Sequence, residues 1–357
     1  GFNQYEIEIN NFKSDLYKFK PDLVFFILDL SSDYPDFFWN NDHKENEKIG
    51  TTHLQKLNNL ISKIKSKIDC TIIISNFLSP KFLKRNILDH QINLGQVETI
   101  IRLNQSLKSI KEKNNGLYIF NLFDLAYQVG AQNIYDEKLF YYGRVLYNFN
   151  FLNQISLSLS GYIVSLYNSR KKCLVLDLDN TLWGGIIGED GLHGIKLGGD
   201  YPGNVYIDIQ RTIKEISRNG LLLAVNSKNN FADAEEVFLD HPDCILSLDD
   251  FSSIKINWED KHKNMEAISS ELNIHHDSFI FIDDNPVEIK TMNHFLPNIE
   301  TIEFDKDDPI SNLKQLRSSQ LFNFLSLTKE DLNKTTQYKE NKIREEISKT
   351  FDNIESF

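Results

Sequence analysis

Two aspartates one residue apart, Asp177 and Asp179, stand directly after an apolar run in the stretch CLVLDLDNTLWGG, residues 173–185. Like charges at the end of a buried strand raise one another's proton affinity, so they persist where something positive sits beside them. Other strand ends carry matching groups: Asn226 and Ser227 close the run LLLAVNS, and Asp283 and Asp284 close FIFIDD. Lys261, Met265, Ile268 and Leu272 are spaced four, three and four apart, which puts the Lys261 ammonium on the buried stripe of a helix at its first turn.

In open parallel sheets, ligands bind outside the carboxyl ends of the strands, so these residues converge on one edge. Four carboxylates and a hydroxyl in one place call for a hard, oxygen-ligated cation, and Mg2+ suits a site completed by water and phosphate oxygens. An ammonium beside them can neutralise a phosphoryl group and the charge that develops in its transfer. Each residue alone has a plainer reading: a turn start for Asp283 and Asp284, a helix N-cap for Ser227, a stem covering apolar surface for Lys261. The complete set outweighs them.

The elements that must position these groups alternate along the chain. Strands are expected at 21–29, 70–76 and 117–122, then at 173–177, 221–226, 244–248 and 279–283, with helices between them, including 203–218, 230–239 and 260–272. This predicts an α/β protein with two doubly wound parallel-sheet, Rossmann-like domains, 1–168 and 169–310, divided near the polar stretch YNSRKK and followed by a charged helical segment, 311–357. A chain of 357 residues has the length for two such cores. A net charge of -12 argues against non-specific nucleic-acid binding, which needs a basic footprint. No apolar run approaches a membrane span, and no signal-peptide pattern is present, so the expected location is cytoplasmic. The three cysteines, Cys70, Cys173 and Cys244, each lie in a strand-like run and read as reduced, buried thiols without metal-ligand spacing.

The ordered set DLDNT, NSK, NWEDK and FIDDNP resembles the four motifs of the haloacid dehalogenase superfamily of phosphotransferases. The longer strings DLDNTLWGGIIGEDG, INWEDKHKNMEAI and FIFIDDNPVEI resemble its FkbH-like branch, phosphatase subfamily IIIC, and the likeness extends over nearly the whole chain. The resemblance implies a Mg2+-dependent phosphatase or phosphotransferase in which Asp177 takes the phosphoryl group as an aspartyl phosphate. It makes Asp179 the general acid and then the general base. It gives the metal to the Asp177 carboxylate, the Asp179 backbone carbonyl and Asp283, with Asp284 either supporting that ligand or replacing it. Ser227 and Lys261, with Asn226 beside them, would bind the substrate phosphate. In the superfamily, the glycine-rich segment after the nucleophile forms a flap, where Trp183 is expected to wall the site. No insertion long enough for a cap domain lies between the motifs, so an open site and a large or protein-borne substrate are expected.

For some members the resemblance implies dephosphorylation of 1,3-bisphosphoglycerate, with the glyceryl unit passed through an enzyme thioester to an acyl carrier protein in polyketide biosynthesis; others accompany surface-polysaccharide gene sets. A thioester step needs a reactive, partly exposed cysteine. The first domain resembles an SGNH-hydrolase-like fold but lacks the Gly-Asp-Ser block and the late Asp-x-x-His pair of an active esterase, so it is expected to be non-catalytic. Against the family pattern the chain reads as a fragment, beginning some way into the first domain and ending just before an acetyltransferase-like one. Two alternatives stand behind the phosphatase: a receiver-like phospho-accepting switch or binding module, and an esterase in the first domain.

Overall fold

Short apolar runs bounded by polar turns become parallel strands in both halves of the chain. The computed structural model describes residues 4–30, 43–81, 83, 85–143 and 145–326. It divides into two units, Gly1–Ser160 and Gly161–Phe357. The division falls inside one helix, Phe149–Tyr167, just ahead of the polar stretch expected to mark it. Among the described residues no helix is long and apolar enough to cross a membrane.

In the first unit, β1 (Leu23–Phe26), β2 (Thr71–Ser75) and β3 (Leu117–Phe120) form a parallel sheet in that order. Helices α1 (Tyr5–Asn10), α2 (Asp15–Phe19), α3 (His43–Lys65), α4 (Gln96–Lys113), α5 (Leu122–Val129), α6 (Glu137–Gly143) and α7 (Phe149–Tyr167) accompany it. Its core joins Ile72 and Ile74 of β2 to Leu57, Ile61 and Ile64 of α3 and to Leu103 and Leu107 of α4. Ser75 at the end of β2 is a structural clamp, its hydroxyl oxygen accepting the Leu28 N–H at 2.7 Å.

The second unit is a five-stranded parallel sheet. Its strands are β4 (Cys173–Leu176), β5 (Leu222–Ser227), β6 (Phe251–Ile256), β7 (Phe279–Asp283) and β8 (Glu300–Glu303), in spatial order β6-β5-β4-β7-β8. The chain steps outward from β4 to β6, then returns to β7 on the other side of β4, and a crevice opens where the order reverses. Both faces are covered, so the three middle strands are apolar throughout and their side chains divide by alternation. Leu174, Leu176, Leu223, Val225, Ile280 and Ile282 share one core with Ile209 and Ile213 of α9 (Gly203–Arg218), Val237 of α10 (Phe231–Asp240) and Leu316 of α13 (Pro309–Ser318); a short α8 (Ile187–Asp190) precedes them. Cys173, Val175, Leu222, Ala224, Phe279 and Phe281 share the other with Met265 and Ile268 of α11 (Lys261–Leu272) and Met292 of α12 (Pro286–Phe295).

One expected strand is corrected. Residues 244–248 form no strand, because the Ile245 and Leu246 N–H groups donate to Gln210 Oε1 at 2.8 and 3.1 Å instead of to a neighbouring strand. Cys244 therefore lies in a loop. The edge strand is the next segment, FSSIKI, whose buried Ser253 hydroxyl donates to Glu271 Oε2 at 2.8 Å. β8 also lies beyond the strands expected. The charged stretch 334–351, expected to be helical, lies outside the described residues.

Candidate active site

Alternation along the strands decides which polar group meets which. Asp177 and Asp283 continue the rows of Val175 and Phe281, on the face where α11 packs. Lys261, the first residue of that helix and 3% exposed, is met there by both. Its Nζ lies 2.9 Å from Asp177 Oδ1 and 2.6 Å from Asp283 Oδ2. Asn226 continues the same row on β5, and its Nδ2 donates to the Lys261 carbonyl at 2.8 Å. Asn226, expected to bind the substrate phosphate, is fully buried, anchors the start of α11 from behind and is not among the residues lining the crevice. Ser227, one residue on, belongs to the opposite row and does line the crevice.

One oxygen each of Asp177, Asp283 and Asp284 lies within 4.8 Å of the others. Three carboxylates against one ammonium leave an excess of buried negative charge. The consequence is visible in the proton affinities: burial, then the Asp177 charge, pushes the Asp283 carboxyl up to about 7 despite Lys261, and the same two causes raise Asp284. Burial alone would pull the Lys261 ammonium down, but Asp177 and Asp283 outweigh it and hold it firmly protonated. An all-oxygen donor set with surplus negative charge fits a hard dication such as Mg2+. Asp283 Oδ1 is further fixed by the Asn285 N–H at 2.9 Å, and the Asn180 side chain bonds the Asp284 carboxyl.

Asp179 stands apart from this acidic group. Its carboxylate accepts from the Trp183 indole N–H at 2.9 Å, the Ile187 N–H at 3.1 Å and Asn229 Nδ2 at 2.9 Å. Burial raises its pKa, and these three donors only partly oppose the rise. Asp179 is not among the three carboxylates that come together in that group. Asn229 Nδ2 also donates to Ser227 Oγ at 3.2 Å, which leaves the Ser227 hydroxyl proton for a substrate oxygen.

The expected role of Trp183 as a flap wall is corrected as well. Trp183 is 0% exposed, packed edge-on against Phe238 at 5.8 Å, and serves the site through its N–H. The turn that follows depends on Gly185 at φ 96°, where a side chain would collide with the Asp190 carboxylate that receives the Ile186 N–H at 2.8 Å. The tryptophan that faces the crevice is Trp258, three residues before Lys261. Trp258 and the Lys228–Glu288 pair at 2.7 Å are lining residues that sequence reasoning missed, and Asn229, buried behind Ser227 and Asp179, is another residue of the site it missed. Lys228 and Trp258 stand inside the strings NSK and NWEDK, Asn229 follows Ser227 by two positions and Glu288 follows Asp284 by four, the signal that could have found them. The crevice holds about 860 Å³.

None of the three cysteines is among the residues lining the crevice. Burial pushes the Cys173 thiol far up and Cys244 up to about 11, and it raises Cys70 also.

Comparisons with known proteins follow these lines. Residues 1–161 match the model of the family described as FkbH, N-terminal domain. The crystal structure of the N-terminal part of the protein BF1531 from Bacteroides fragilis, containing a phosphatase domain complexed with Mg, is similar with a TM-score of 0.77 and 28% identity. The match covers 91% of this chain and 85% of that one. No curated protein matches.

Proposed function

We propose that the second unit is a Mg2+-dependent phosphatase or phosphotransferase of the haloacid dehalogenase type, with Asp177 as phosphoryl acceptor. The observation that carries this reading is the Lys261 ammonium set between Asp177 and Asp283 at the carboxyl edge of the sheet. The likeness to a Mg-complexed phosphatase domain supports it.

An Asp177 carboxylate oxygen attacks phosphorus, and the bond from phosphorus to the leaving oxygen breaks. Asp179, whose proton affinity burial raises, gives a proton to the leaving oxygen. It then takes a proton from a water that attacks the aspartyl phosphate, releasing inorganic phosphate and restoring the Asp177 carboxylate. Ser227 donates to one phosphoryl oxygen, and Lys261 balances the charge spread over the others. Asp177, Asp283 and Asp284 would hold Mg2+, which when bound neutralises phosphoryl charge and orients the group for in-line attack.

The substrate class we favour is a phosphorylated small molecule, in particular an acyl phosphate, of which 1,3-bisphosphoglycerate is the example the family resemblance offers. Transfer of its acyl unit would instead require a thiol to attack the carbonyl carbon of the intact acyl phosphate and displace inorganic phosphate, and burial raises the pKa of all three cysteines here, which favours a thiol of another molecule, such as an acyl carrier protein.

The test is phosphate release from acyl, sugar and aryl phosphates, with Mg2+ and with chelator, in wild type and Asp177→Asn. The expected result is Mg2+-dependent turnover that falls at least about a thousandfold in the variant, as loss of a covalent nucleophile does elsewhere. Stable phosphorylation of Asp177 without phosphate release would replace the phosphatase by a phospho-accepting switch.

A further inference from the structure

Trp258 is 70% exposed, yet its ring is held in place. The indole N–H donates to Asn230 Oδ1 at 3.0 Å. Asn230 is the N-cap residue of α10, and its side chain makes no capping bond to that helix, being committed to Trp258 and, at 3.0 Å, to Asp233. The side-chain cap that Asn ordinarily supplies to a helix is forgone. The loop bearing Trp258 is tied on its other side, where the Asn257 and Asn264 amides bond each other reciprocally at 2.9 and 3.3 Å and Asn257 Oδ1 receives the Glu259 N–H at 3.0 Å.

An indole whose polar edge is satisfied and whose ring stays exposed has no packing reason for that arrangement. It lines the same crevice as Asp177, Ser227 and Lys261, and Ile186 and Pro286 supply further apolar lining. Of the charged residues on the remaining rim, Glu189, Glu303, Asp305 and Asp307 outnumber Lys306, and Lys228 is paired with Glu288, a balance that discourages a substrate bearing anionic groups beyond the phosphoryl.

From this geometry we infer that Trp258 is a specificity residue: a fixed stacking platform for the part of the substrate beyond the phosphoryl group. The inference rests on the phosphatase reading and narrows it to substrates whose non-phosphoryl portion presents a flat, apolar face. A small, hydroxylated glyceryl unit would gain little there.

The experiment compares two acyl phosphates of matched chemistry, benzoyl phosphate and acetyl phosphate, in wild type, Trp258→Ala and Trp258→Phe, with Mg2+. Trp258→Ala is expected to lower kcat/KM for benzoyl phosphate about tenfold, through KM, and to leave acetyl phosphate within about twofold. Trp258→Phe should recover most of the loss. An equal fall on both substrates, or none on benzoyl phosphate, overturns the inference. Calorimetric titration with phenylphosphonate and methylphosphonate separates it from the phosphatase reading. A preference for the phenyl compound that vanishes in Trp258→Ala sustains the platform even if no substrate is turned over, and equal affinities in wild type sink it even if turnover is brisk.

Discussion

The Trp183 indole N–H donates to Asp179 Oδ1 across 2.9 Å, linking a fully buried core residue to the carboxyl group proposed as the proton carrier. That bond opposes the rise in the Asp179 pKa caused by burial. Trp183→Phe keeps most of the packing and removes the donor. The Asp179 carboxyl should then hold its proton to still higher pH, so the pH optimum of phosphate release moves upward. The fold should lose about 1–3 kcal/mol for the missing bond to a charged group. A pH–rate profile checks the first point and denaturant unfolding the second; an unmoved profile would mean that Asp179 is not the proton carrier.

Lys261 holds two buried carboxylates apart from each other's charge. Lys261→Met removes the only ammonium bonded to Asp177 and Asp283 among the described residues, and breaking such a buried pair costs about 3–5 kcal/mol. The loss is expected in chelator, with Mg2+ restoring part of it, since the dication can take over the neutralising role. Thermal unfolding of the variant with and without Mg2+ measures this, and a variant as stable as wild type in chelator would contradict the assigned charge balance.

Metal binding should itself stabilise the fold. At a hundredfold excess over its Kd a ligand contributes about 2.7 kcal/mol, which for a unit of this size raises Tm by about 5 to 10 °C. Asp283→Asn should reduce that shift to near zero. The same residue sets a pH dependence in chelator. Its folded pKa is raised to about 7, so its contribution is greatest at low pH, where both states are protonated. That contribution is lost as pH rises from the ordinary carboxylate range through about 7, where the folded state must accept a buried charge. Wild type should therefore lose more Tm than Asp283→Asn between pH 5.5 and 8, and parallel curves would show that the charge of Asp283 is already neutralised.

How much of this was legible follows from two periodicities. The strand ends could be read because parallel strands covered on both faces are apolar throughout, and Lys261 because the 3.6-residue repeat placed it among Met265 and Ile268. The same alternation, carried one step further, would have separated Asn226 from Ser227, since Leu222 and Ala224 lead to one face and Leu223 and Val225 to the other. The edge strand was hidden because FSSIKI buries two serines, of which Ser253 finds its partner, Glu271, on a helix distant in sequence, whereas the more apolar CILSL is held by Gln210. Nor could composition tell Trp183 from Trp258: both neighbour motif residues, and only the fold shows one inside the core and the other at the crevice.

The thiols give the last prediction. A covalent acyl carrier must be ionised and reachable, yet burial raises all three cysteines, and Cys244 also spends its S–H on Leu246 O at 3.2 Å. Cys70→Ser and Cys244→Ser should each leave phosphate release within about twofold, as changes remote from the chemistry do. Intact-protein mass spectrometry after incubation with an acyl phosphate should show no hydroxylamine-labile acyl adduct on any cysteine. An adduct on Cys70, which is half-buried in the first unit, would make this chain an acyl carrier in its own right and give that unit a chemical role. Its absence, together with Mg2+-dependent release, leaves the second unit a phosphatase and no cysteine of this chain an acyl carrier.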